Sequence, residues 1–127
     1  MSQRDNKLSL QIICFKLNKE QIKSIDDLIF KKLYFSRSEI LRFAIRHLLA
    51  KIAQDSTYEP GFTSWSQELR SEEVNLAKES VSSKFPPKLL ECVDQVVSQG
   101  RFQSRSHFIR ESLDAFLFDR EKLHENL

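Results

Sequence analysis

The tripeptides Ser36-Arg37-Ser38 and Ser104-Arg105-Ser106 are the residues whose types and spacing carry the most chemistry in this chain. Each stands at the start of a helical pattern, so Ser36 and Ser104 are first of all helix caps. The amide N–H groups and positive dipole end of such a helix attract an anion, and Arg37 and Arg105 add full charges beside them. Lys16 and Lys84 form a second matched pair, each within a run of strand formers. Covalent chemistry has no comparable foothold. There is no Gly-rich phosphate loop, nucleophile elbow or convergent acid–base set, which argues against an enzyme. His47, His107 and His124 have no metal-ligand spacing with one another or with Cys14 and Cys92, so surface or packing roles are expected for them and no metal or other cofactor is implied. Two isolated cysteines are too few for a disulfide framework and are expected to stay reduced.

An internal repeat dictates the elements that position these residues. Sliding the chain against itself by 68 positions lays Ser36-Arg37-Ser38-Glu39-Ile40-Leu41-Arg42 on Ser104-Arg105-Ser106-His107-Phe108-Ile109-Arg110. The same shift lays Ile22, Ile25, Leu28 and Ile29 on Leu90, Val93, Val96 and Val97, Asp26 on Asp94, Lys16 on Lys84 and Leu49 on Leu117. Within each block the hydrophobic period changes twice. From Leu8 to Leu17, Gln11, Ile13, Phe15 and Leu17 alternate with Ile12, Cys14 and Lys16, a strand pattern. From Lys19 to about Lys32 the period is helical, with Asn18 as N-cap. After a break at Tyr34-Phe35, Ser36 and Glu39 are placed to form a capping box. The helix that follows carries Ile40, Leu41, Ala44, Ile45, Leu48 and Leu49 on a broad apolar face, expected to be fully buried. In the second block Ser80 to Phe85 reads as a strand, Pro86-Pro87 begins a helix that Gly100 ends, and Ser104 caps a helix with Phe108, Ile109, Ser112, Leu113, Phe116 and Leu117. Arg42 and Arg110 lie inside the second helices and are expected to pair with carboxylates, while Asp26 and Asp94 are expected to be solvated or salt-bridging helix residues.

Charge is distributed unevenly. The net +2 of the 127 residues divides into +6 over residues 1–53, −4 over 54–79 and 0 over 80–127. The first third is therefore the part that would attract a polyanion. No apolar run approaches the roughly 20 residues of a membrane helix, and Met1 to Asn6 is too polar for a signal peptide, so a cytoplasmic protein is expected. The organisation predicted is a first unit at 1–53, an acidic connector at 54–77 and a second unit at 78–127. Ser64 to Glu79 fits a short acidic helix with Trp65, Leu69 and Leu76 inward, and Tyr58, Phe62 and Trp65 are expected to pack.

A strand and two short helices cannot bury enough surface alone, and a lone strand leaves its hydrogen-bonding edge empty. Two units must therefore pair their strands as an antiparallel ribbon and interlock their helices. The pairing is open between one chain and two, since the connector is long enough to allow it internally.

Strand, helix, capped turn and helix, with Ser-Arg-Ser-Glu-Ile-Leu-Arg at the second helix, resembles the ribbon-helix-helix superfamily of Arc-, MetJ- and CopG-type repressors, over residues 10–52 and 78–119. The tandem arrangement resembles the double ribbon-helix-helix regulators of crenarchaeal viruses. The resemblance implies a mainly α fold with a two-stranded antiparallel ribbon, two units in tandem pairing as a pseudo-dimer. It implies binding of double-stranded DNA, with the ribbon in the major groove and the second-helix N-termini on phosphates. Base reading then falls to Ile12, Cys14, Lys16, Ser80, Ser82 and Lys84, and phosphate binding to Ser36, Arg37, Ser38, Ser104, Arg105 and Ser106. Lys7, with Arg4, forms a basic arm. Lys and Ser suit base-edge acceptors, whereas Ile12 and Cys14 depart from the polar habit of the family and face either thymine methyl groups or protein. A transcription regulator acting as a homodimer or higher oligomer on DNA, without a membrane or small-molecule partner, is the leading expectation. An antitoxin and a protein-interaction module without DNA binding are the alternatives.

Overall fold

The computed structural model of the chain describes residues 9–55, 57, 58 and 78–125. Its elements in chain order are β1 (Gln11–Leu17), α1 (Lys19–Phe30), α2 (Arg37–Gln54), β2 (Glu79–Phe85), α3 (Pro87–Ser98) and α4 (Arg105–Glu125). The protein is thus mainly helical, with one two-stranded antiparallel sheet formed by β1 and β2. Every element of the second half begins 68 residues after its counterpart: Gln11 and Glu79, Lys19 and Pro87, Arg37 and Arg105. Leu8, at the outer end of the expected first strand, lies outside the described residues, as do Phe62, Trp65, Leu69 and Leu76. Glu79, expected to close an acidic helix, instead opens β2.

Local chemistry fixes the boundaries. Asn18 caps α1 by accepting from the Gln21 amide at 2.8 Å, and the Gln21 side chain accepts from the Asn18 amide at 3.1 Å, a complete capping box. The same Gln21 donates to Asp114 at 2.9 Å, so one side chain both closes α1 and ties it to α4. Ser36 caps α2 through the Glu39 amide at 3.1 Å, but the reciprocal half of the expected box is displaced. The Glu39 carboxylate accepts from Phe35, one residue before the cap, at 3.3 Å. The second half does the same with different atoms: Ser104 accepts from the His107 amide at 3.1 Å, and His107 Nδ1 accepts from the Gln103 amide at 3.0 Å. α1 ends at Phe30 rather than Lys32, because Lys32 is in the left-handed region at φ 63°. Its counterpart, Gly100, sits at φ 89°, so both corners turn at the same place.

One hydrophobic core serves both halves. Leu17, Ile25, Ile40, Leu41, Ile45 and Leu48 from the first half meet Phe85, Val93, Phe108, Ile109 and Leu113 from the second, nearly all fully buried. The largest helix–helix contact is α2 on α4. The apolar stripe of α2 is therefore consumed within the chain. Its last member, Leu49, and the equivalent Leu117, stay partly exposed at the margin, as does Phe116. Phe15 and Phe85 pack ring to ring across the sheet at 6.2 Å. Among the described residues no helix is long and apolar enough to cross a membrane.

Candidate nucleic-acid interface

β1 and β2 pair in a register that sets Gln11 opposite Phe85, Cys14 opposite Ser82 and Leu17 opposite Glu79. Strand geometry sends alternate side chains to opposite faces. Phe15, Leu17, Val81, Ser83 and Phe85 point into the core, and Ile12, Cys14, Lys16, Ser80, Ser82 and Lys84 point out. The six residues singled out as base readers are therefore three cross-strand pairs on one exposed face: Ile12 with Lys84, Cys14 with Ser82, and Lys16 with Ser80. Cys14 and Ser82 are also equivalents under the 68-residue shift. Their side chains meet at 3.2 Å across the ribbon. Ile12 is 64% exposed, so no other part of the described chain covers it.

The ribbon is held from beneath by a reciprocal pair of arginines. Arg42 on α2 donates to the Lys84 carbonyl at 3.0 Å, and Arg110 on α4 donates to the Lys16 carbonyl at 3.3 Å. The strand carbonyls are thus hydrogen-bond acceptors of Arg42 and Arg110, and the Asp114 carboxylate acts electrostatically on Arg110 as well. Each guanidinium reaches a strand carbonyl of the opposite half, directly behind the lysine that projects outward. Ser38 adds a further tie in the first half: its hydroxyl accepts from Ser83 Oγ at 2.6 Å and from the Lys84 amide at 3.4 Å. Core-facing Phe15 occupies the position equivalent to Ser83, so the Ser106 end has no matching hydroxyl across the ribbon.

At the helix starts, Arg37 forks onto Asp26 with both bonds at 2.9 Å, and Arg105 forks onto Asp94 with both at 2.6 Å. Each fork clamps the start of a second helix to the helix before it. The guanidinium hydrogen bond holds the Asp26 and Asp94 carboxyls below the ordinary carboxylate range and raises the pKa of each arginine. Arg37 and Arg105 therefore stand at the expected anion sites with a carboxylate already on the fork. The cap serines already take the Glu39 and His107 amides, and the Arg37, Ser38, Arg105 and Ser106 amides, which lack intrahelical acceptors by helix geometry, are the remaining backbone donors there. Lys7 and Arg4 lie outside the described residues.

Lys78, the first residue of the second unit as the sequence divides the chain, belongs to the ribbon end. Partial burial and the charges of Arg110 and Lys16 push its pKa down. The charges of Lys78, Lys16 and Arg110 thus act on one another at this end of the ribbon, with the Asp114 carboxylate acting on Arg110 as the opposing charge. The linear signal was weak, since Lys78 and Lys16 are 62 positions apart and only the strand register joins them.

Of the remaining singled-out residues, His47 and Tyr58 have structural partners, Cys92 is free and exposed, and the His124 side chain lies outside the described residues. His47 and Lys51 both meet Asp119, at 2.7 and 2.6 Å, linking α2 to α4. Tyr58 packs against the core, where burial first and the Glu111 and Asp119 charges second push its hydroxyl up to about 12. Among the described residues no His, Cys, Asp and Glu cluster is placed to hold a metal ion. Comparison with protein-family models, curated proteins and solved structures finds no match to this chain.

Proposed function

We propose that the chain is a sequence-specific double-stranded DNA-binding regulator, built as two ribbon-helix-helix units that pair within one chain around a single ribbon. The observation that carries this reading is the exposed ribbon face. Six outward side chains, four polar and two of those cationic, project from a two-stranded ribbon of the width the major groove admits. Lys16 and Lys84 would donate to guanine O6 and N7, Ser80 and Ser82 would hydrogen-bond base edges, and Ile12 would meet a thymine methyl group. The amides opening α2 and α4 would take backbone phosphates, with Lys78 supplying charge at one ribbon end. Arg37 and Arg105 then contribute chiefly by holding those helix starts in place.

Competitive binding of the full chain to a selected duplex and to random-sequence DNA, at two salt concentrations, tests the reading. Phosphate-dominated affinity should fall with a log–log salt slope of about −0.9 per phosphate neutralised. Lys16→Ala and Lys84→Ala should narrow the gap between selected and random DNA, each by about 1–3 kcal/mol, the discrimination one good base pairing supplies. Lys78→Ala should weaken both duplexes alike. Absence of binding at low salt would reject the reading. Indistinguishable behaviour of the ribbon and Lys78 variants would reject the division of labour.

A further inference from the structure

The corner between α1 and α2 exposes a group of large apolar side chains that the fold does not require. Phe30 is 86% exposed, Leu33 52%, Phe35 92% and Phe43 49%. Phe43 leans edge-on against the Tyr34 ring at 5.7 Å, which joins the helix to the corner. The repeat supplies an internal control. At the positions equivalent to Phe30, Leu33 and Phe35 the second half carries Ser98, Arg101 and Gln103, with the same helix end, the same left-handed turn and the same serine cap. Polar residues therefore satisfy this corner, and the aromatic residues at its twin need another explanation.

Size and shape indicate what covers them. A fully exposed aromatic side chain offers roughly 200 Å², so the four residues present on the order of 500 Å², near the upper end of patches seen on monomers. Two such patches facing each other bury about 1,000 Å² from these residues alone, the area at which specific association begins. Beside the patch, and sharing Leu33 with it, lies a cleft of about 280 Å³ between α1 and α4, floored by Leu28 and Leu117 and rimmed by Arg120 and Glu121. It offers a seat for a projecting ring. The α2 stripe, whose pairing the sequence leaves open between one chain and two, is already filled by α4.

We propose that a second copy of this chain docks on the Phe30, Leu33, Phe35 and Phe43 corner, patch to patch. The second-half corner is polar, so among the described residues the apolar corner that a copy offers in return is the same patch. Association then closes as a two-fold pair instead of extending into a chain of molecules. This inference does not rest on DNA binding.

The test is the solution mass of the full chain by light scattering and sedimentation equilibrium, from about 1 μM to about 200 μM. The mass is expected to rise from 15.0 kDa toward a limit of about 30 kDa. A triple variant, Phe30→Ser with Leu33→Arg and Phe35→Gln, gives the first corner the residues of the second. It should stay at 15.0 kDa throughout with unchanged helical circular dichroism. Phe35→Ala alone, at the most exposed position, should weaken association at least about tenfold, and this single change keeps the test valid if the triple variant loses structure. A wild-type mass fixed at one chain, a mass that climbs past two chains, or a Phe35→Ala protein that associates as tightly as wild type would each overturn the proposal.

Discussion

Replacing Phe85 with Ala probes whether the two halves share one core. Phe85 is fully buried at the end of β2 and packs on Phe15 of β1 at 6.2 Å, so its ring belongs to both halves. Truncating a buried phenylalanine costs about 3–5 kcal/mol, from forfeited transfer energy and the cavity left behind. A domain of about 100 residues has roughly 5–15 kcal/mol of stability in total, so the change removes a large fraction of it. At roughly 4–8 °C per kcal/mol, the midpoint should fall by about 12–40 °C. Thermal unfolding would be followed by circular dichroism, and peptide-resolved hydrogen exchange would report on residues 11–54 and 79–121 separately. A shared core predicts a single transition, with protection disappearing together in both segments although the substitution lies in the second. If residues 11–54 stay protected after 79–121 have opened, the halves are independent and the shared-core reasoning is wrong.

Acid should act through His107, which is 7% exposed and accepts the Gln103 amide at Nδ1. Burial, aided by the Arg110 charge, holds its pKa below the ordinary 6.5, so the unfolded chain binds more protons. Stability is then full above about pH 6.5 and declines as pH falls below it, and His107→Gln should flatten that slope in urea titrations. Asp26→Asn and Asp94→Asn each break a fork whose partners are more than 40% exposed, so each should shift the urea midpoint by less than about 1 kcal/mol. The shift should shrink further in high salt. Gly100→Ala meets no atom within 4 Å, so any loss of stability reports backbone strain alone, about 1 kcal/mol. Lys32→Gly at the equivalent corner should stabilise by a few tenths of a kcal/mol up to about 1, visible as a higher melting midpoint.

Much of the architecture was legible because the repeat converts one reading into two. Period, caps and the 68-residue shift located β1, α1, α2 and their twins to within a few residues, and strand alternation selected the six outward ribbon side chains. What escaped was whatever depends on register or on backbone atoms. The carbonyls of Lys16 and Lys84 are invisible in a sequence, since every residue has one, so Arg42 and Arg110 pointed only toward carboxylates. The Arg37–Asp26 fork spans eleven positions across a turn, outside any helical spacing rule, yet Arg105 and Asp94 repeat the same interval. Equal intervals in the two halves, as well as equal residue types, are the signal that marks it. The exchange of Glu39 for His107 hid the common role of both: each accepts the amide preceding the cap, one as a carboxylate and the other as a neutral ring.

Covalent linkage of the two strands has a quantitative consequence for dosage. A ribbon assembled from separate chains dissolves on dilution, because its halves part at a rate that recombination no longer matches. Here β1 and β2 belong to one polypeptide, and the connection between α2 and β2 holds them at an effective concentration on the order of millimolar. The exposed ribbon face is therefore present in every folded molecule, at one copy per cell as at a thousand, and its abundance scales with the first power of synthesis.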